Sequence, residues 1–436
     1  MKTALVHDYL AQAGGAERVA AAFHTLFPEA PLYTSVYDRA ATLPSFAEMD
    51  IRTSFLQRWP FSSRRFHKLA LPYYPAAFEQ FNFTGYDLVL SSSSSFAKGI
   101  ITPPETCHVC YCHTPSRFIW RQQEYLSQNR SAGAASFLVS AYVNSLRSWD
   151  VESAQRVDYF VANSYNVARR IRKFYRRDVA AVIYPPVETT KFQPVGPAEI
   201  GDHFLVVSRL LGYKRLDLAV EACTRRGLPL RVVGIGPDLA RLKRLAGPTI
   251  QFLGRLSDEQ VVRELARCKA LIFPGEEDFG ITPVECMASG RPVIAYGAGG
   301  ALETVVDGQT GLFFLEQTVD SLVQALEEMD SHCFDPAALE ARASCFDTSV
   351  FEQQMLTLVA EALEEHRSNN SIACINRKGL AQNKGSHLPQ PKPLTENFSL
   401  TECFKTDYPE PYSALHQNTV LHQNTALHQN IGQNLV

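Results

Sequence analysis

The sequence predicts an α/β protein made of two doubly wound parallel sheets. Two series of short apolar runs alternate with helical patterns, a proline-rich segment separates the series, and glycine-rich turns follow several of the runs. Such alternation is the mark of β-α-β units, which pair their strands in parallel. A length of 436 residues exceeds one ordinary core and accommodates two. A hydrophobic share of 45% and a charged share of 20% are those of a globular chain. The net charge of -3 argues against a general nucleic-acid binder.

The first series runs "TALVHDYL" (3–10), the helical "GGAERVAAAFHTLF" (14–27), "APLYTSVY" (30–37), "YDLVLSSSSS" (86–95), "TCHVCYC" (106–112) and "VDYFVANS" (157–164), then the helix "YNVARRIRKFY" (165–175). The opening "MKTALVHDYL" has one lysine and too short an apolar run for a signal peptide, so it reads as the first strand. "VIYPPVETTKFQPVGPAEIGD" (182–202) breaks the pattern and reads as a linker. The second series begins with "HFLVVSRL" and the helix "RLDLAVEACTRRG", closing on Gly227. "LRVVGIG", "IQFLGRL", "ALIFPG", "PVIAYG" and "GLFF" supply its remaining strands. The expected division is a first domain over 1–186, a linker over 187–202, a second domain over 203–345 and a closing helix over 346–367. From 368 to 436 polar composition and the six-residue repeat in "ALHQNTVLHQNTALHQNI" (414–431) predict a disordered tail.

Several stretches carry groups suited to chemistry. Gly14 and Gly15 lie between the first strand and first helix, where they make either a tight turn or a close backbone approach to a ligand. Arg209 and Lys214 follow the first strand of the second domain, as a solvated pair or as two cations for a diphosphate. His113 follows "CHVCYC" at a strand's carboxyl end, where a neutral imidazole can bond a sugar hydroxyl. In "GEEDFGITPVECMASG" (275–290), Thr282 and Glu285 match a capping box, a structural explanation for Glu285. No helix rule calls for Glu277. On one continuous helix the two glutamates would lie about 12 Å apart, too far for joint proton chemistry.

Two other motifs are read as structural. "CHVCYCHTP" gathers Cys107, Cys110, Cys112, His108 and His113, but no second ligand pair follows at a zinc-finger distance, so buried thiols and no metal are expected. Gly234 and Gly236 give half a dinucleotide fingerprint, with Leu239 in place of the third glycine and no acid ending the next strand.

Together these elements resemble the retaining nucleotide-sugar glycosyltransferases of the GT-B fold, glycosyltransferase family four. The matching residues are "GGAE" (14–17), "HTP" (113–115), "SRLLGYKR" (208–215), "EDFGITPVE" with "ASGRPVIA", and "GGALETVVDGQTGLFF". "LRSWDVESAQRVDYFVANS" (146–164) and "IYPPVETTKF" look closest to bacterial mannosyltransferases of polysaccharide and lipopolysaccharide assembly. The resemblance implies two Rossmann-like domains facing a central cleft. It implies that Glu277 contacts the donor sugar, Glu285 the ribose, and the backbone N–H groups of Phe279, Gly280 and Ile281 the sugar and phosphate. Arg209 and Lys214 would neutralise the diphosphate leaving group, Gly15 would add a backbone contact, and His113 would touch the sugar.

No Asp-x-Asp occurs in the chain, so the expectation is a metal-independent hexose transfer without cofactor. The expected donor is GDP-mannose, with a UDP- or ADP-sugar as the alternative. A sugar-nucleotide epimerase or a phosphorylase of the same architecture, or a silent binding protein, stays open. For the acceptor side, "FLQRWPFSSRRFHKLALPYYPAAF" (55–78) mixes Arg58, Arg64, Arg65 and Lys68 with Trp59 and other aromatics. That mixture suits an anionic membrane surface and a lipid-linked or glycan acceptor, or an ordinary amphipathic helix. No stretch reaches the roughly 18 apolar residues of a membrane span, so a cytoplasmic protein, peripheral at the inner face of the plasma membrane, is expected. "ARRIRKFYRRD" (168–178) reads as a solvated helix face.

Overall fold

The structure, a computed structural model, describes residues 1–58, 67–120 and 134–379. Two parallel sheets organise it. The first contains β1 (Thr3–His7), β2 (Leu32–Thr34), β3 (Ile51–Thr53), β4 (Leu88–Ser93), β5 (Cys107–Cys112), β6 (Tyr159–Ala162) and β7 (Ala181–Val182). Their order is β3-β2-β1-β4-β5-β6-β7, and every pairing is parallel. The second contains β8 (Phe204–Val207), β9 (Leu230–Val233), β10 (Ile250–Gly254), β11 (Ala270–Phe273), β12 (Val293–Tyr296) and β13 (Gly311–Phe314), ordered β10-β9-β8-β11-β12-β13. Each sheet reverses its winding beside its first strand, between β1 and β4 and between β8 and β11. Ligands of open parallel sheets bind outside the carboxyl ends at this reversal. The loops after β1, β4, β8 and β11 are therefore where the chemistry belongs.

Strand alternation decides what the interior strand β5 buries. Cys107, Val109 and Tyr111 of β5 enter one core with Phe23 and Phe351, while Cys110 and Cys112 enter another with Phe160 and Ile171. The thiols are thus packing groups, and burial pushes the Cys110 thiol up to about 12. Among the described residues the group nearest to a metal site is Cys107, Asp158 and His366, with ligand atoms within 4.8 Å of one another. It lies at the amino ends of β5 and β6, away from the reversal points. Asp158 already accepts the N–H of His108 (2.8 Å), and His366 Nε2 bonds the Pro104 carbonyl (3.1 Å).

Helix ends follow local chemistry. The Tyr165–Tyr175 helix starts at Ser164, whose Oγ accepts the Val167 N–H (3.1 Å), and stops at Arg176 in the left-handed region. The helix Leu216–Arg226 closes on Gly227, with φ +64°. The capping box expected at Thr282 and Glu285 does not form. The helix spans Ile281–Ala288 and begins from Gly280, which has φ +93° and no side-chain cap. Glu285 is then its fifth residue, too far along to reach back to the start, and is left for another partner.

The closing helix, expected to end at 367, runs from Thr348 to Gly379. Phe351, Met355, Leu358, Val359, Ala362 and Leu363 pack into the core of the first sheet, the larger side chains each worth about 1.5–3 kcal/mol on burial. Beside its start Val187 pairs with Asp347, so the expected linker is anchored there. Gly234 and Gly236 have a packing reason: a Cβ at either would collide with the Ser208 or Leu210 carbonyl oxygen, at 1.8 and 2.2 Å. Of the basic-aromatic segment, Arg58 is exposed at the end of a 3-10 turn over Phe55–Arg58 and Lys68 lies in another over His67–Tyr73. Trp59, Arg64 and Arg65 lie outside the described residues, as does the repeat tail from 380 onward. No helix among the described residues is long and apolar enough to cross a membrane.

Candidate functional site

Four loops at the carboxyl ends of the two sheets meet. From the second domain, the loop after β8 brings Arg209 and Lys214, and the loop after β11 brings Glu276, Glu277 and Asp278. Lys214 Nζ forms an ion pair with Glu277 Oε1. The Tyr213 ring lies near the charges of both Lys214 (5.5 Å) and Arg117 (5.3 Å). Phe279 turns its ring inward against Tyr184 (5.4 Å) and Phe346 (5.5 Å), so only its backbone faces the loop. Gly280 needs to be glycine: its φ is +93° and a Cβ would lie 2.9 Å from the Phe273 ring.

From the first domain, the loop after β1 brings Gln12, Gly14 and Gly15. A Cβ on Gly15 would stand 2.6 Å from Ile281 Cδ1, so the glycine loop of one domain touches the helix start of the other. Arg209 Nη1 donates to Gln12 Oε1 (3.2 Å), and Arg18 Nη1 donates to Glu285 Oε1 (2.7 Å). Burial opposes the Arg18 charge, but Glu285 outweighs it and raises the pKa. His113 is buried against Tyr111, and its Nε2 bonds Ser92 Oγ (2.8 Å). Burial and then His7 lower its pKa to about 3, which keeps the imidazole neutral. The sequence-predicted residues Gly14, Gly15, His113, Arg209, Lys214, Glu277, Phe279, Gly280, Ile281 and Glu285 therefore line the same junction between the two sheets. Arg58 and Lys68 belong to a separate part of the first domain.

Sequence reading missed the residues that tie the two domains together. Arg117, four residues beyond His113, donates to Asp278 Oδ2 through Nε (3.0 Å) and Nη2 (2.7 Å) and lies 3.9 Å from Glu277. Burial disfavours the Arg117 charge, and Asp278 and Glu277 more than compensate, so its pKa rises. Arg170 donates to Asp278 Oδ1 and to Glu276 Oε1 (2.8 Å). This corrects the solvated-face reading of "ARRIRKFYRRD": the helix turns Arg170 inward toward the acidic loop. Glu303 accepts the N–H groups of Tyr165 (2.8 Å) and Asn166 (2.9 Å), the first two residues of the Tyr165–Tyr175 helix. Burial pushes the Glu303 carboxyl up to about 7 against the pull of those N–H groups. The signals were present as Asp278 beside Glu277 and as the glutamate in "GGALETV", but no local rule tells a carboxylate that grips a ligand from one that grips a neighbouring domain.

A family model described as Glycosyltransferase Family 4 matches residues 13–191, and one described as Glycosyl transferases group 1 matches 187–332. The chain is 28% identical to a glycogen synthase of Mycobacterium tuberculosis over 62% of this chain and 64% of that protein. It is 31% identical to a GDP-mannose-dependent α-(1-6)-phosphatidylinositol monomannoside mannosyltransferase of Mycolicibacterium smegmatis, over 33% of this chain and 45% of the relative. The chain thus spans less than two thirds of either relative. Its fold is that of HepE from Anabaena, solved with UDP, at TM-score 0.60 and 18% identity, covering 83% of this chain and all of that one.

Proposed function

We propose, from the premise that the chain belongs to the two-domain GT-B glycosyltransferases of group 1 and family four, that it is a retaining hexosyltransferase that needs no metal. The observation that carries the reading is the meeting of Arg209, Lys214, Glu277 and Glu285 with the Gly14–Gly15 loop. Transfer breaks the bond between sugar C1 and a diphosphate oxygen, and the electron pair leaves with the phosphate. The acceptor oxygen bonds C1 on the same face, and its proton passes to the departing phosphate. Fixed cations where that charge grows lower the barrier most. Arg209 and Lys214 supply them, and the backbone at Gly15 closes over the phosphate. Glu277, already beside Lys214, takes sugar hydroxyls, and the second carboxylate oxygen of Glu285 takes a ribose hydroxyl.

GDP-mannose is the donor in this reading, supported by the mannosyltransferase among the relatives. The longer overlap with a glycogen synthase favours, as second reading, a glucosyl donor carried by UDP or ADP. The acceptor is a lipid-linked or polysaccharide glycan, reached at the cytoplasmic, inner face of the plasma membrane through the basic-aromatic segment 55–78. A thermal-shift screen against GDP-, UDP- and ADP-sugars tests the donor. Stabilisation by GDP-mannose, and donor hydrolysis that disappears in Glu277→Ala, is expected; a shift with a UDP-sugar alone would overturn it. Sedimentation with liposomes containing anionic lipid tests the surface, and binding indifferent to Arg64 and Arg65 would remove it.

A further inference from the structure

A line of polar groups runs from the phosphate-binding side of the site to His113. Arg209 Nη1 donates to Gln12 Oε1 (3.2 Å), and Gln12 Nε2 donates to Glu17 Oε1 (3.1 Å). The same Glu17 oxygen lies 3.8 Å from His7 Nε2. His7 Nδ1 bonds Ser92 Oγ (3.0 Å), which bonds His113 Nε2 (2.8 Å). His7, Glu17 and Ser92 are each 1% exposed, so water does not reach this stretch, while the Gln12–Arg209 end is open to solvent. Glu17 Oε2 is buried without a hydrogen-bond partner and would stand 2.9 Å from a Cβ at Gly14. A buried carboxylate without full pairing is costly and calls for a reason.

The reason lies in what each group can do. An ionised carboxylate accepts and never donates, whereas hydroxyls, amides and neutral imidazoles do both. Every proton in the line must therefore point toward Glu17. Gln12 turns its amide N–H to Glu17 and its oxygen to Arg209. His7 Nε2 faces Glu17 Oε1 at 3.8 Å, beyond hydrogen-bond length, so the charge of the carboxylate favours the proton on Nε2, and Nδ1 accepts from Ser92. Ser92 then accepts from His113, which places the His113 proton on Nε2 and leaves a bare lone pair on Nδ1.

We infer that Glu17, His7 and Ser92 are positioning residues that hold His113 in the Nε2–H form, so that His113 Nδ1 accepts a hydroxyl proton of the donor sugar. The inference rests on the proposed function for the sugar, but the proton positions do not. Gln12 also joins this line to Arg209 of the other domain, so the diphosphate side and His113 are connected through one line of polar groups, hydrogen-bonded except where Glu17 faces His7 at 3.8 Å.

Histidine-selective ¹⁵N NMR on the full chain reads the tautomers directly. His7 and His113 are both expected with the proton on Nε2, and His113 should shift to a mixture of tautomers in Ser92→Ala. A proton on Nδ1 of either histidine, or no change in Ser92→Ala, overturns the inference whatever sugar the protein uses. Kinetics give the second arm. Ser92→Ala and the isosteric Glu17→Gln should each lower kcat/KM for donor hydrolysis about tenfold, the worth of one hydrogen bond. The double variant should be no worse than the weaker single variant, because groups acting as one chain are lost together. Multiplying losses would mean independent roles and would refute the coupling. Wild-type protein with the expected tautomers but no donor hydrolysis would count against the proposed function and leave the chain standing.

Discussion

The two walls of the junction are built from different materials. The second domain presents formal charges: Arg209, Lys214 with Glu277, and Asp278 held by two guanidinium groups. Beside its arginines Arg18, Arg117 and Arg170, which pair with that acidic loop and Glu285, the first domain presents neutral hydrogen-bonding groups, His7, Ser92 and His113, next to the buried carboxylate of Glu17. A departing diphosphate carries charge that changes during reaction, and a sugar ring carries hydroxyls that do not. In the proposed reaction, charges on the wall of the second domain and dipoles on that of the first match that difference.

The comparison makes an ordered set of predictions. Lys214→Met should lower donor turnover by about 10²–10³, the usual cost of losing one donor to a developing charge. His113→Asn should cost only about tenfold, one neutral hydrogen bond; initial hydrolysis rates that reverse this order would break the contrast between the walls. Asp278→Asn leaves Arg117 and Arg170 short of a counter-charge and should cost about 1–3 kcal/mol in chemical denaturation. An unchanged midpoint would show that the two domains are not held by this carboxylate.

Stability should also depend on pH with a different sign on each side. The carboxyl of Glu303 is raised from 4.5 to about 7, so its contribution is complete below about pH 4.5 and is lost as pH rises through 7. That limb is worth at most about 3 kcal/mol, and Glu303→Gln should flatten it. His108 and His113 are lowered from 6.5 to about 3, so their contribution is complete above 6.5 and is lost as pH falls toward 3. Denaturation midpoints followed from pH 4 to 9 should peak between these limbs; a steady rise toward alkaline pH would contradict the Glu303 assignment. Deletion of 380–436, the polar tail outside the described residues, should leave melting temperature and kcat unchanged. A loss of either would give the tail a role in the folded part.

Legibility in the sequence followed how local each rule is. Strand runs, the Tyr165–Tyr175 helix and the stop at Gly227 depend on neighbours in sequence, and they were readable. "GGAE", "HTP" and "EDFGITPVE" were readable as a set through the family resemblance, and the structure brings their three loops together at the facing edges of the two sheets. The capping box read at Thr282 and Glu285 failed because the helix starts from the left-handed Gly280, two residues earlier than composition suggests. Arg117, Arg170 and Glu303 were invisible because each partner lies more than 100 residues away. His7 and Ser92 looked like ordinary strand residues, and only the parallel β1–β4 pairing, with His7 opposite Ser92, sets them side by side.

The pairing of Val187 with Asp347 has one more consequence. The Val187 N–H bonds the Phe346 carbonyl (3.1 Å), and the Thr348 N–H bonds the Val187 carbonyl (3.1 Å), so the chain leaves and re-enters the first domain at one point. The second domain is in effect a cassette inserted into the first, its two ends stitched together. Exchange of 188–346 for another such cassette would replace the donor wall while leaving the first domain, with its closing helix, whole.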